Sequence, residues 1–424
     1  PDPRRAALML FAAGPGAGAR ISEPLLERAH GRALVWASFV ASFSMSHQGR
    51  LVQAIATGTR GDTANFELTL PLVWPRHVFD RSEPLALAGR FAEAGELIEH
   101  QYRIRSAERS LEARAACRWQ QCKSVGERGH VRRAIDQGRE AVRLFEELEK
   151  PHFQNFALVP LALAYALAGR VQDAAAALDV VENRRSGRDA VFDVDLLTAR
   201  AWTAVAGGNQ RAAQDLFLQA ADLGERIEDR TGAAGALHGL ARIGRASAAV
   251  DRLTALAEQI DGELASARAA HARHLTLGDA EGLLDTAKAF ERMGANLLAA
   301  EATADAAVAH RRHGSRRGAA RAEHQAAALA RRCEGADTPA LHPIAARSQL
   351  TTAERDCATL AAAGHTNKQI AAILRVSVRT VESHLHHSFH KLGISRRLQL
   401  TEFIHEVGNR TQGTSPLDHG TTFR

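Results

Sequence analysis

From about residue 85 to about residue 335 the chain is rich in helix-forming residues and poor in proline, and one pattern interrupts it at intervals. A glycine is followed by a polar turn and, five positions on, by alanine: Gly89 and Ala94, Gly129 and Ala134, Gly169 and Ala174, Gly208 and Ala213, Gly244 and Ala249. Gly278 and Leu283 make a sixth, variant copy, and the glycines lie 40, 40, 39, 36 and 34 residues apart. That is the period of a helical hairpin. The glycine can end one helix in the left-handed conformation, and the small residue lets the next helix approach closely where the pair crosses. A single hairpin cannot bury its apolar face, so neighbours are expected to stack into a superhelix with a concave groove.

The repeat resembles tetratricopeptide (TPR) repeats, whose period is about 34 residues. Its spacing drifts, and the aromatic expected two residues after the glycine is present only as Phe91. The expectation is an all-α chain: a TPR-like helical-hairpin solenoid over residues 85–333, then a linker over 334–347 signalled by Gly335, Pro339 and His342-Pro343. Residues 1–84 read as an N-terminal helical or irregular segment, the remnant of a longer protein. Gly14-Pro-Gly-Ala-Gly18 is not followed by Gly-Lys-Ser/Thr, and no Gly-Lys pair occurs anywhere, so a phosphate loop for ATP is not expected.

Residues 348–407 carry a different pattern, expected to form a four-helix module. Thr351 with Glu354 and Thr366 with Gln369 have the spacing of capping boxes, and Ser377 and Ser395 can cap two further helices. Four helices are expected, near 352–363, 367–374, 378–391 and 396–407, with Gly364 and Gly393 as stops. Only Arg375 and Val376 separate Leu374 from Ser377, the tight link of a helix-turn-helix. Projected at about 100° per residue, the third helix gathers Val381, Leu385, Ser388, Phe389 and Leu392 on one face. Arg379, Glu382, Ser383, His386, His387 and His390 fall on the flank and the far side. A face made of hydrogen-bonding side chains suits the major groove, where Arg379 can donate to guanine or phosphate, Glu382 can accept from cytosine N4, and Ser383 can do either. Protonation of the three histidines below about pH 6.5 would add positive charge toward DNA.

Composition agrees with helices: 84 of the 424 residues are alanine and only 5% are aromatic, which disfavours strand-rich folds. The net charge of +6 is compatible with a nucleic-acid partner but does not locate it. The densest basic stretch is not in the C-terminal module but at Arg311–Arg317, with Arg321, Arg331 and Arg332, and reads as a solvated helix face. Cys117, Cys122, Cys333 and Cys357 are scattered, which fits buried thiols and no metal site. The longest apolar runs, Ala6–Ala13 and Leu34–Met45, fall short of the roughly 20 residues of a membrane helix. The start of the chain imitates a secretory signal, but a DNA-binding module has use only in the cytoplasm, so a cytoplasmic, nucleoid-associated protein is expected.

Leu350-Thr with Glu354, Gly364-x-x-Asn367-Lys-x-Ile-Ala, Ser377-x-x-Thr380-Val-x-x-His384 and Lys391-Leu-Gly-Ile resemble the LuxR/GerE-type DNA-binding domain of bacterial transcription regulators. The resemblance implies dimeric DNA binding with the third helix in the major groove and Lys368, Ser377, Thr380 and Lys391 near phosphates. It implies a dimer contact from the fourth helix through Leu400, Phe403, Ile404 and Val407. With Thr366, Asn367 and the exposed face of the third helix these make the expected DNA-binding set, the helix-turn-helix running from Asn367 to His386. This chain departs from the family at Ala353, Cys357-Ala358, Glu382 and His386. Solenoid followed by such a module resembles the C-terminal part of the large ATP-binding LuxR-family regulators related to the maltose regulator, without the ATPase. The expected partners are double-stranded DNA, a second copy of the chain, and a protein or small-molecule inducer in the groove. No cofactor is expected, and no catalytic arrangement points to an enzyme. A protein-interaction scaffold with a weak helix-turn-helix is the alternative, and residues 408–424 are expected to be a disordered tail.

Overall fold

The computed structural model describes residues 3–67, 76–107, 110–184, 190–342, 344, 351–392, 397 and 400. All regular structure among the described residues is helical. Two compact units divide the chain, residues 1–342 and 343–424.

The first unit is a succession of helix pairs. It begins with α1 (Pro3–Ala13) and α2 (Pro15–Leu26), α3 (Gly31–His47) and α4 (Leu51–Glu67), then α5 (Arg76–Leu87) and α6 (Phe91–Ala107). There follow α7 (Leu111–Arg128) and α8 (Val131–Glu147), α9 (Pro151–Leu167) and α10 (Val171–Arg184), α11 (Ala190–Ala206) and α12 (Gln210–Arg226). α13 (Arg230–Leu240) and α14 (Ala246–Ala257), α15 (Glu263–Leu277) and α16 (Ala280–Met293), and α17 (Asn296–Arg312) and α18 (Arg316–Arg331) complete it. The architecture is TPR-like.

Each of the six repeat glycines has a left-handed φ, between 66° and 88°. At Gly208 the turn closes with Gly208 N–H donating to Val205 O at 2.9 Å and Asn209 N–H to Ala204 O at 2.8 Å, which uses two carbonyls that the end of α11 would otherwise leave open. Ala94, Ala134, Ala174, Ala213 and Ala249 are completely buried, and Leu283 is 1% exposed. Further copies escaped the sequence pattern, among them Gly49 with buried Ala54 and Gly314 with buried Ala319, both glycines left-handed.

The boundary expected at residue 84 falls inside this unit. Phe11 of α1 stacks on Phe156 of α9 and Phe192 of α11, and the latter two rings lie 3.7 Å apart between centroids. The described residues before 85 are therefore helical, and α1 packs on the repeats. The expected linker is also partly docked: Asp337 N–H donates to Leu167 O at 2.7 Å, and Thr338 and Leu341 are buried. Residues 345–350 lie outside the described set.

A superhelix with a concave groove is expected from the repeat, and the solenoid also winds back on itself. Asp261 N–H donates to Gly49 O at 2.8 Å, Glu263 N–H to Ala88 O at 3.2 Å, and Glu334 Oε2 accepts from Arg133 N–H at 2.9 Å. These contacts join turns about two hundred residues apart, and a cavity of ≈ 150 Å³ lies among the first helices of the pairs.

The second unit contains α19 (Thr352–Ala362), α20 (Asn367–Leu374) and α21 (Val378–Leu392). They bury Cys357, Ala358, Ile370, Val381, Leu385 and Leu400 as a small core. The expected fourth helix lies outside the described residues except at Arg397 and Leu400, as does the expected tail.

Candidate DNA-binding surface and lumen cavity

Both expected capping boxes are formed. Thr351 N–H donates to Glu354 Oε2 at 2.8 Å while Glu354 N–H returns to Thr351 Oγ1 at 3.3 Å. Thr366 N–H donates to Gln369 Oε1 at 2.8 Å, and Gln369 N–H to Thr366 Oγ1 at 3.4 Å. These pairs fix where α19 and α20 begin. α20 ends on Arg375, which is left-handed at φ 54° without being glycine, and Val376 N–H donates to Ala371 O at 3.0 Å. Ser377 then caps α21: its Oγ accepts from Thr380 N–H at 3.0 Å. A three-residue turn, Arg375 to Ser377, with a cap on each side thus sets the angle between α20 and α21.

The face of α21 turned to the core is the one the projection selects, with Val381, Leu385 and Ser388 buried and Phe389 half-buried. The Ser388 hydroxyl lies 3.1 Å from Glu354 O and 2.7 Å from His384 O, so this polar core residue has partners in α19 and α21. Arg379, Glu382, Ser383, His386, His387 and His390 are all exposed on the outer surface. His384 is half-buried beside the core. Thr366, Lys368 and Ser377 are exposed and Thr380 is half-buried. The side chain of Lys391 lies outside the described set.

Asn367 differs from the expectation of an open contact residue. Its Oδ1 accepts from Arg397 Nη1 at 2.8 Å, and Arg397 Nη2 also donates to His365 O. Arg397 therefore ties the start of α20 to the chain beyond α21. Sequence reasoning missed it; the only signal was the pair Arg396-Arg397 just after the stop at Gly393.

The cavity of the first unit is lined by the first helix of successive pairs, from His47 on α3 to Leu298 on α17. Lys123 Nζ lies 2.7 Å from Glu83 Oε1 and 3.2 Å from Asp195 Oδ2, and Gln120 Nε2 donates to Glu83 Oε2 at 2.6 Å. Burial opposes the charge on Lys123, but Asp195 and Glu83 outweigh it and hold the ammonium above its usual range. Burial likewise opposes ionisation of Glu83, and Lys123 overcomes it, so the carboxyl is held below its ordinary value. Arg242 forms a two-bond pair with Glu301, 2.6 and 2.7 Å, and stands 4.2 Å over the Trp202 ring.

Two histidines face this space with opposite tendencies. His47 Nδ1 lies 3.0 Å from Asp229 Oδ1; burial opposes its charge, but the carboxylate raises its pKa. His238 Nε2 lies 3.0 Å from His271 Nδ1, and burial with the neighbouring His271 pushes its pKa well below the ordinary value. These groups gave little sequence signal beyond Lys123, one of only five lysines in the chain.

The geometry of the second unit meets its counterpart among known proteins. The family described as bacterial regulatory proteins, luxR family, matches residues 348–404. Residues 348–404 form a LuxR-family helix-turn-helix domain. Proteins named as HTH-type transcriptional regulators in Mycobacterium bovis and Mycobacterium tuberculosis are 49% identical to the chain over 53 residues. That stretch is 12% of this chain and 6% of each relative, so the likeness to them lies in the LuxR-family domain. For the repeats, the crystal structure of a Rap protein complexed with Competence and Sporulation Factor is similar at TM-score 0.55 and 14% identity. The match covers 78% of this chain and 97% of that one, a likeness of fold.

Proposed function

We propose that the chain is a bacterial DNA-binding transcriptional regulator that binds operator DNA as a dimer through α20 and α21, with the helical repeats as its sensor or partner-binding region. The observation that carries this reading is the turn between α20 and α21, closed by left-handed Arg375 on one side and the Ser377 cap on the other, which leaves Arg379, Glu382, Ser383, His386, His387 and His390 exposed opposite the core. Such a face offers donors and acceptors that match base edges. Thr366, Lys368 and Ser377, exposed at the two helix starts, are suited to phosphates, as are Thr380 beside them and Lys391 at the far end of α21. Asn367 acts through its bond to Arg397, orienting the N-terminus of α20. Leu400, expected in the dimer contact, is instead buried in the core of the unit, so the dimer contact is assigned to the expected fourth-helix positions Phe403, Ile404 and Val407.

The repeats support the sensor role through their charged cavity, since a cavity lined by successive helix pairs can change shape when it fills. The Rap likeness supports the same division of labour, because that protein was captured with a bound factor. A cytoplasmic, nucleoid-associated location follows from this reading.

Footprinting the intact chain on genomic DNA tests it. The proposal expects discrete two-fold-related sites that disappear in the Arg379→Ala variant. Uniform, salt-sensitive binding without preferred sites would favour an interaction scaffold instead.

A further inference from the structure

The last helix pair of the solenoid carries a concentration of arginine that the helix-turn-helix does not use. Arg311 and Arg312 end α17, His313 follows in the turn, Arg316 and Arg317 open α18, and Arg321 lies one turn on. Arg312, Arg316, Arg317 and Arg321 are exposed. Among the described residues none of these four lies within 4.0 Å of a carboxylate oxygen, whereas Arg311 pairs with Glu323.

Two other turns of the same repeat are neutralised. After Gly89, Arg90 pairs with Glu93, and after Gly169, Arg170 pairs with Asp173 at 2.8 Å, each three residues along the helix. The turn after Gly314 puts Gly318 where those turns have an acid, and the first turn of α18 has no acidic residue. Arg316 and Arg317 therefore sit at the positive end of a helix, and Arg317 and Arg321 repel across one turn. Each contact is unfavourable inside the folded chain and becomes favourable against a polyanion. None of the exposed large apolar side chains belongs to this turn, so it lacks the anchors of a protein interface. Arginine's planar fork suits phosphate oxygens.

We propose that the α17–α18 turn is a second, sequence-independent DNA contact that grips backbone phosphates. The inference rests on the DNA-binding reading of the helix-turn-helix.

The test measures binding of the full chain to a random-sequence duplex between about 50 and 200 mM salt. Replacing Arg312, Arg316, Arg317 and Arg321 with Gln is expected to flatten the slope of log Kd against log salt by about two to four. The four-fold Lys replacement should retain the slope. Affinity for preferred and random duplexes should fall by the same factor, with base preference unchanged. The melting temperature should stay level or rise as repulsion is relieved, which a merely structural role would not allow. An unchanged slope in a folded Gln variant overturns the proposal while leaving the helix-turn-helix reading intact. A wild-type chain that flattens in the Gln variant but shows no base preference on any duplex overturns the helix-turn-helix reading instead. A wild-type chain that binds no duplex overturns both.

Discussion

Arg397 donates to Asn367 across 30 residues of sequence at 2.8 Å, and so fixes the entry of α20 from outside the helix-turn-helix. A charge-assisted bond of this kind contributes about 1–2 kcal/mol when half-buried. The variant Arg397→Ala is expected to lower the stability of the C-terminal unit by that amount in urea titration. Operator affinity should fall with it, because the start of α20 loses its reference point.

Arg375 occupies the left-handed region at φ 54°, where a side chain meets the backbone unfavourably and glycine does not. Arg375→Gly should raise the stability of the unit by about 0.5–1 kcal/mol, read as a shift in urea midpoint at unchanged m-value. Its charge is also lost, so the salt slope of DNA binding reports whether Arg375 touches phosphate.

Lys123 holds two carboxylates inside the first unit. Lys123→Met leaves Glu83 and Asp195 facing each other, at a cost of about 2–4 kcal/mol after allowance for their partial exposure. The double variant Lys123→Met/Glu83→Gln is expected to recover much of that loss. Equal instability in the single and double variants would assign the effect to packing.

The two cavity histidines give opposite pH limbs. His47 is raised in the folded state, so its contribution is complete below the unfolded value of about 6.5 and is lost as pH rises through the folded pKa. His238 is lowered, so the unfolded chain takes up a proton more readily and stability declines below about pH 6.5. Thermal melts from pH 5 to about pH 9 should show both declines. His47→Gln should flatten the alkaline limb, and His238→Gln the acid limb.

The repeat was legible because its signals are local. Each glycine and its alanine lie within one turn, and the requirement for a left-handed cap and a close crossing acts on the residues that display it. The outer face of α21 was legible for the same reason, since a 3.6-residue period separates Val381 and Leu385 from Arg379 and His386 without knowledge of any partner. The winding of the solenoid was not. It depends on pairs such as His47 and Asp229, 182 residues apart, and on Asp261 meeting Gly49, none of which leaves a mark at short range. The placement of α1 was hidden likewise, because Phe11 meets Phe156 and Phe192 far along the chain.

The most direct test of the account is the base preference of α21. Binding-site selection with the intact chain should yield a two-fold-related motif, and Glu382→Gln should change the preferred base at one position in each half-site while the other positions hold. A motif identical for wild type and for Glu382→Gln, Ser383→Ala and Arg379→Ala would contradict the claim that this helix face reads DNA.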